Sequence, residues 1–433
     1  MNKQLKIFKE EYQSLLVKFL WRQWSALGVA GQAGAGDNWI IDPEALLLFT
    51  CTIGRCEPRL FDEVLDWLRE NGRFINGMRL KRMLRMESFA GERALGAVAN
   101  VLAQGAEAMK WRLLAKTTTP FTTTEAFFFG PDGRPLPVAG ESEPSFARFG
   151  FRRGPLRLRG YSQKFRAAQP SNLALQLRAL FGINARCEIV LYLLTHEAAH
   201  PSQIAREAFY FDRAVQGTLV DMLQSGVVQL RSRGREKHYW LLQKPWAELL
   251  NRPEPFPLWI TWPPLFSALE KIWLKLNDPR LETLDPLLQS SELRQLMMEV
   301  RPAFERARFD RALSDDRNYL GEKYLPVFLG DVSNLLQNLA PMGSTELAAN
   351  LFRATQTEEK LRRENVRNKV HANRIHEDVG RKVRNTIKEL GGTMPENLPV
   401  AENIKKVESR EKKRLKAEQK KALQPPPVAE EGV

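Results

Sequence analysis

The sequence predicts a mainly α protein: a helical N-terminal region, a central three-helix unit ending in a β-hairpin, a helical C-terminal region and a disordered basic tail. Three observations carry that expectation. Apolar residues recur at intervals of three and four through most of residues 4–115 and 265–340, the period of an amphipathic helix. Alternating, turn-punctuated sequence of the kind that pairs as a hairpin is concentrated at residues 227–242. The composition, 43% hydrophobic and 27% charged over 433 residues, is that of a folded chain with room for roughly two to four cores.

In chain order, Leu5, Phe8, Tyr12, Leu15, Leu16, Phe19 and Leu20 mark a first helix over 4–27, which the glycines of GVAGQAGAG (28–36) interrupt. Asp42 is placed to cap the next helix, with Pro43 at its first position. FDEVLDWLRENG (61–72) follows, with Phe61, Leu65 and Leu68 on one face and Gly72 as its C-cap, and helical patterning continues to about residue 115. Residues 117–140 are Thr-rich, then Pro/Gly-rich, and read as a loop with one short strand. A basic segment, 145–166, holds seven Lys/Arg and no acid. The domains expected are 1–116 (helical), 117–170 (linker and basic segment), 171–250 (central unit), 251–340 (helical), 341–405 (C-terminal region) and 406–433 (basic tail).

The central unit has a defined order. Cys187 to Leu194 forms a first helix with Ile189, Val190, Leu193 and Leu194 inward, and a second begins at Pro201 with Ile204, Ala205 and Ala208 inward. A third runs from Asp212 to Leu223 on a core stripe of Val215, Leu219 and Met222, and Gly226 ends it. Residues 227–230 and 237–242 then pair across a turn at Arg233-Gly234-Arg235. This pattern resembles the winged helix-turn-helix of bacterial regulators. The resemblance implies a recognition helix whose Arg213, Ala214, Gln216, Gly217 and Thr218 face a major groove. Arg231, Arg233, Arg235 and Lys237 on the wing suit phosphate contact. Arg152, Arg153, Arg157 and Arg159 are expected as an accessory basic segment. Asp212 and Asp221 bracket the third helix and weigh toward a protein-docking role instead.

Residues 342–399 contain GSTELAANLFRATQTEEKL, DVGRKVR and ELGGTMPE. With these words the stretch resembles the C-terminal region of the DNA-damage-inducible protein D family over 340–400. The phage-antirepressor-like domain that usually precedes this region in the family is not recognisable, so the chain reads as a fusion. The resemblance implies a link to the DNA-damage (SOS) response and mobile-element regulation, and it supplies no catalytic residue.

Net charge is +14, and residues 340–433 contribute +6 of it, which favours polyanionic partners. No apolar run approaches the roughly 20 residues needed to span a bilayer. The N-terminus lacks a signal-peptide core, and the three cysteines suit a reducing cytoplasm. His196-Glu197-Ala198-Ala199-His200 spells HExxH, but Pro201 disfavours helix at His200, so the two imidazoles are not expected on one helical turn. Cys51 and Cys56 read as core residues, and GVAGQAGAG lacks the Gly-Lys-Ser/Thr of a phosphate loop. The expected protein is therefore cytoplasmic, bacterial and non-enzymatic, with no cofactor and no metal. Its expected partners are DNA, a protein bound through the C-terminal region and a second copy in a homodimer, with no membrane. The alternative is an antitoxin-like interaction factor that uses the winged helix for docking.

Overall fold

The computed structural model describes residues 3–31, 39–105, 108–116, 123–130, 133–138, 140–234, 236–310, 313–314, 319 and 321–339. The expected regions 341–405 and 406–433 and residues 32–36 of the glycine-rich segment lie outside the described residues. Up to Pro341 the chain forms one compact unit.

The unit is mainly helical. It begins with α1 (Lys3–Leu27), α2 (Pro43–Ile53), α3 (Pro58–Asn71), α4 (Gly77–Met86), α5 (Glu92–Leu102) and α6 (Ala108–Lys116). β1 (Glu125–Ala126), α7 (Pro144–Ala147) and β2 (Phe151–Arg152) follow, with β1 and β2 parallel. Next come α8 (Leu173–Phe181), α9 (Ala185–Thr195), α10 (Pro201–Ala208) and α11 (Asp212–Gln224), then the antiparallel pair β3 (Gln229–Arg233) and β4 (Glu236–Trp240). α12 (Gln243–Leu250), α13 (Trp262–Leu276), α14 (Pro279–Thr283), α15 (Pro286–Ala307) and α16 (Tyr324–Leu339) complete it.

Local chemistry explains the element boundaries. Asp42 caps α2 by accepting from the Glu44 and Ala45 amides, with Pro43 at the first helical position. Asn76 caps α4 by accepting from Met78 and Arg79. The whole of α2 is buried, so it forms the axis around which α1, α4, α5 and α13 pack.

Two hydrophobic cores result. The larger draws together α1 to α6, the aromatic group Phe127, Phe146, Phe149 and Phe151, and α13 to α16. Regions 1–116 and 251–340, read as separate in the sequence, thus contribute to one core. Aromatic contacts hold it: Phe49 and Phe266 stack at 4.7 Å, and the Trp24 and Trp67 indoles meet edge-on at 5.2 Å. The Tyr12 hydroxyl donates to the Leu269 carbonyl at 2.9 Å, joining α1 to α13. The smaller core is built from α8 to α12 and the hairpin.

Between the cores runs a buried ionic seam. Arg79 donates to Asp42 at 2.8 Å and to Glu44 at 2.6 Å. Arg178 donates to Glu44 at 2.6 and 2.9 Å and to Glu188 at 2.7 and 3.0 Å. Two backbone carbonyls take further donors: Ala208 accepts from Arg79 and Phe74 from Arg178. Burial alone would raise the Asp42 carboxyl, but the adjacent Arg79 guanidinium outweighs it and holds Asp42 below the ordinary carboxylate range. Arg79, Arg178, Asp42 and Glu44 persist there because each accepts or donates several hydrogen bonds, whereas Glu188 meets Arg178 through Oε1 alone.

Candidate nucleic-acid interface

The inward residues of α9, α10 and α11 are those their spacing dictates. Ile189, Val190, Leu193 and Leu194 are buried, as are Ile204, Ala205 and Ala208, and then Val215, Leu219 and Met222. α10 and α11 are joined by three residues, Phe209 to Phe211. Phe209 adopts a left-handed backbone (φ 56°), and Tyr210 N–H returns to the Ala205 carbonyl at 2.9 Å. A phenylalanine accepts that strained conformation because its ring is buried in the larger core. α11 ends in a Schellman turn: Gly226 (φ 75°) donates to Leu223 and Val227 to Met222.

The hairpin strands reach further toward their turn than the spacing predicted, because Arg233 pairs with Glu236 and leaves a two-residue loop opened by Gly234 (φ 62°). Ala199, between α9 and α10, exchanges backbone hydrogen bonds of 2.9 and 2.8 Å with Tyr239, which fastens the hairpin to the helices. Side chains alternate on the pairing Arg231 with His238 and Ser232 with Lys237, so Arg231 and Lys237 stand on opposite faces. Both are exposed. Arg233 ends β3, and Arg235 lies outside the described residues.

On α11, Arg213 and Gln216 are exposed, whereas Thr218 is half-buried and its hydroxyl donates to the Ala214 carbonyl at 2.8 Å. Asp212 occupies the first turn of the helix. Asp221 pairs with Arg186 across the surface at 3.2 Å. In the accessory segment Arg152, Arg157 and Arg159 are exposed. Arg153 is not: it is 3% exposed, pairs with Asp62 through two hydrogen bonds of 2.8 and 3.0 Å, and faces the Phe128 and Phe146 rings. It is therefore withdrawn from the accessory basic set.

Sequence reading passed over α4. Its Arg79 is buried, but Lys81 and Arg82 are half-exposed and Arg85 is exposed. Arg82 lies over the Phe211 ring at 4.3 Å, directly beside the start of α11. The only signal in the sequence was the run of five Lys/Arg without an acid over residues 73–86.

His196 ends α9 in an extended conformation and stacks on Tyr192 at 3.8 Å, whereas the His200 ring caps α10 by accepting from the Ser202 amide. The HExxH residues therefore do not share a helical face. Among the described residues no group of three or more His, Cys, Asp or Glu is arranged to hold a metal ion. Burial pushes the Cys51 and Cys187 thiols well above their usual range and Cys56 up to about 12. No described helix is long and apolar enough to cross a membrane.

Comparison with known proteins bears on the other end of the chain. Residues 333–407 match the family of the DinD C-terminal domain. The DNA damage-inducible protein D of Escherichia coli (strain K12) is 70% identical over 69 residues, which is 16% of this chain and 25% of that protein. The chain thus spans about a quarter of the length of the curated relative it matches. No solved structure matches. The match opens within α16, where Leu335, Leu336 and Leu339 are buried in the larger core. The C-terminal part of this chain is DinD-like.

Proposed function

We propose that this protein is a non-enzymatic, cytoplasmic DNA-binding regulator that reads duplex DNA with a winged helix-turn-helix formed by α9, α10, α11 and the hairpin. The observation that carries this reading is the order of parts: a helix, a tight three-residue turn, a second helix with an exposed outer face, then a two-stranded wing bearing basic residues. Arg213, Gln216 and Thr218 would meet the major groove. Arg231, Arg233, Arg235 and Lys237 would meet phosphates, with Arg152, Arg157 and Arg159 as accessory contacts. The DinD-like C-terminal part supports a link to the DNA-damage response, and in this proposal that part engages a protein partner. No cofactor is needed for such a function, and dimerisation would double the site.

Electrophoretic shift of genomic fragments over a series of salt concentrations tests the reading. Binding should weaken steeply with salt and disappear in the R231A/R233A/R235A variant. Absence of binding at low salt, together with a co-purifying protein, would sink it.

A second reading is favoured by two specific features. Asp212 and Asp221 lie on α11, and Phe211 and Val220 are 62% and 56% exposed on and beside it. Such a face suits a protein partner, with the unit acting as an antitoxin-like docking module.

A further inference from the structure

The three-residue turn between α10 and α11 is held by the larger core at its first position and by α4 and its cap at the next two. Phe209 is buried in the larger core, the Tyr210 hydroxyl accepts from Asn76 Nδ2 at 2.7 Å, and Phe211 lies under Arg82 at 4.3 Å. Arg79 adds a hydrogen bond of 2.9 Å to the Ala208 carbonyl. Helix α4 is therefore a fixed neighbour of the N-terminus of α11.

The outward face of α4 is basic. Arg79, Leu80 and Met83 turn inward, and the stripe left outside includes Lys81, Arg82 and Arg85. No acid occurs between Arg73 and Met86. Glu87, which follows, is buried and occupied by two hydrogen bonds from Arg306 at 2.9 and 2.6 Å. α6 packs beside α4, with the Lys81 ammonium donating to the Leu113 carbonyl at 3.3 Å, and it adds Lys110, Arg112 and Lys116 without an acid. α11, by contrast, carries Asp212 and Asp221 against its one arginine.

We propose that α4 is a second, phosphate-gripping arm of the DNA interface, with Lys81, Arg82 and Arg85 on the duplex backbone flanking the groove that α11 enters. The inference rests on the winged-helix reading and supplies what that reading lacks. In helix-turn-helix complexes the N-terminal end of the recognition helix approaches the bases, so a helix clamped beside that end lies over the adjoining phosphates. α11 presents little net charge, and sequence-independent affinity is chiefly a matter of phosphates neutralised. A rigid basic helix at that spot provides it without any cost of ordering a loop.

Fluorescence anisotropy with the full chain and a labelled duplex of mixed sequence, over a series of KCl concentrations, tests the proposal. K81A/R85A spares the Arg82–Phe211 contact. It should lower the slope of log affinity against log salt by about 2 and weaken binding about tenfold or more at low salt. K81R/R85K, which keeps both charges, should bind as the unaltered chain does. Unaltered slope and affinity in K81A/R85A, with binding lost in R213A/R231A, would overturn the α4 arm and leave the winged-helix reading standing. Absence of duplex binding by the unaltered chain would overturn both.

Discussion

Residues 73–86 carry five Lys/Arg and residues 145–166 carry seven, and neither stretch contains an acid. In the second stretch, acids of α3 meet the chain. Asp62 takes Arg153, Asp66 accepts from the Gly160 and Ser162 amides at 3.1 and 3.0 Å, and Arg159 lies within electrostatic reach of Glu63. In the first stretch, α2 and its cap take a single cation, Arg79, while Lys81 and Arg82 of α4 stay half-exposed and Arg85 exposed, with Arg82 beside the start of α11. Charge density along a sequence does not decide where a protein is positive. That depends on which distant element brings acids to the segment, and α3 does so for one stretch only.

Three sets of substitutions test the contrast, and a fourth probes the buried acid Glu270 of α13. The largest effect is expected at Arg79, because Arg79→Ala leaves Asp42 and Glu44 short of a buried counter-charge. A loss of roughly 3–5 kcal/mol in urea unfolding is expected. The same pair predicts acid sensitivity. Asp42 is depressed when folded, so its stabilisation is present above the ordinary carboxylate range and is lost below it, as pH falls through the lower value of the folded state. Unfolding midpoints measured as pH falls below that range should drop more steeply for the unaltered chain than for Asp42→Asn.

Next is Glu270, a buried acid whose pKa burial raises to about 7; it accepts from the Ala90 amide at 2.9 Å. Its stabilisation is complete below the ordinary glutamate range and is lost as pH rises through about 7. Glu270→Gln should therefore stabilise the protein by roughly 1–3 kcal/mol above neutrality and leave acid stability little changed. Thermal melts on either side of neutrality check this.

Arg153→Ala should cost roughly 1–3 kcal/mol, less than Arg79→Ala, because Asp62 keeps part of its hydration. An equal or greater loss would break the contrast between the two stretches. The smallest effect belongs to R152A/R157A/R159A, which should shift stability by no more than about 0.5 kcal/mol. It should lower the salt slope of DNA binding by less than K81A/R85A does.

Much of the central region was legible because its information is local. The stripe Val215, Leu219, Met222 sets which face of α11 turns inward, Pro201 starts α10 and Gly226 terminates α11. Asp42 likewise marked the start of α2. What escaped was non-local. Arg79 and Lys81 look alike in MRLKRMLRM, and only the arrival of Asp42 and Glu44 from α2 separates a buried ion from a surface one. Arg153 was misassigned for the same reason, since its partner lies 91 residues earlier. The common core of α1 to α6 with α13 to α16 was equally hidden, because amphipathic periodicity shows that a helix has an inner face and never what covers it.

The ionic seam bears on how the molecule comes apart. Glu44 belongs to a helix of the larger core, Arg178 and Glu188 to helices of the smaller, and each carboxylate is dry only while both cores are closed. Opening either core alone would strand a desolvated charge in the other, so a half-open species carries a penalty that neither the closed nor the fully open chain bears. Two hydrophobic centres that could have melted separately are thereby expected to share one cooperative transition.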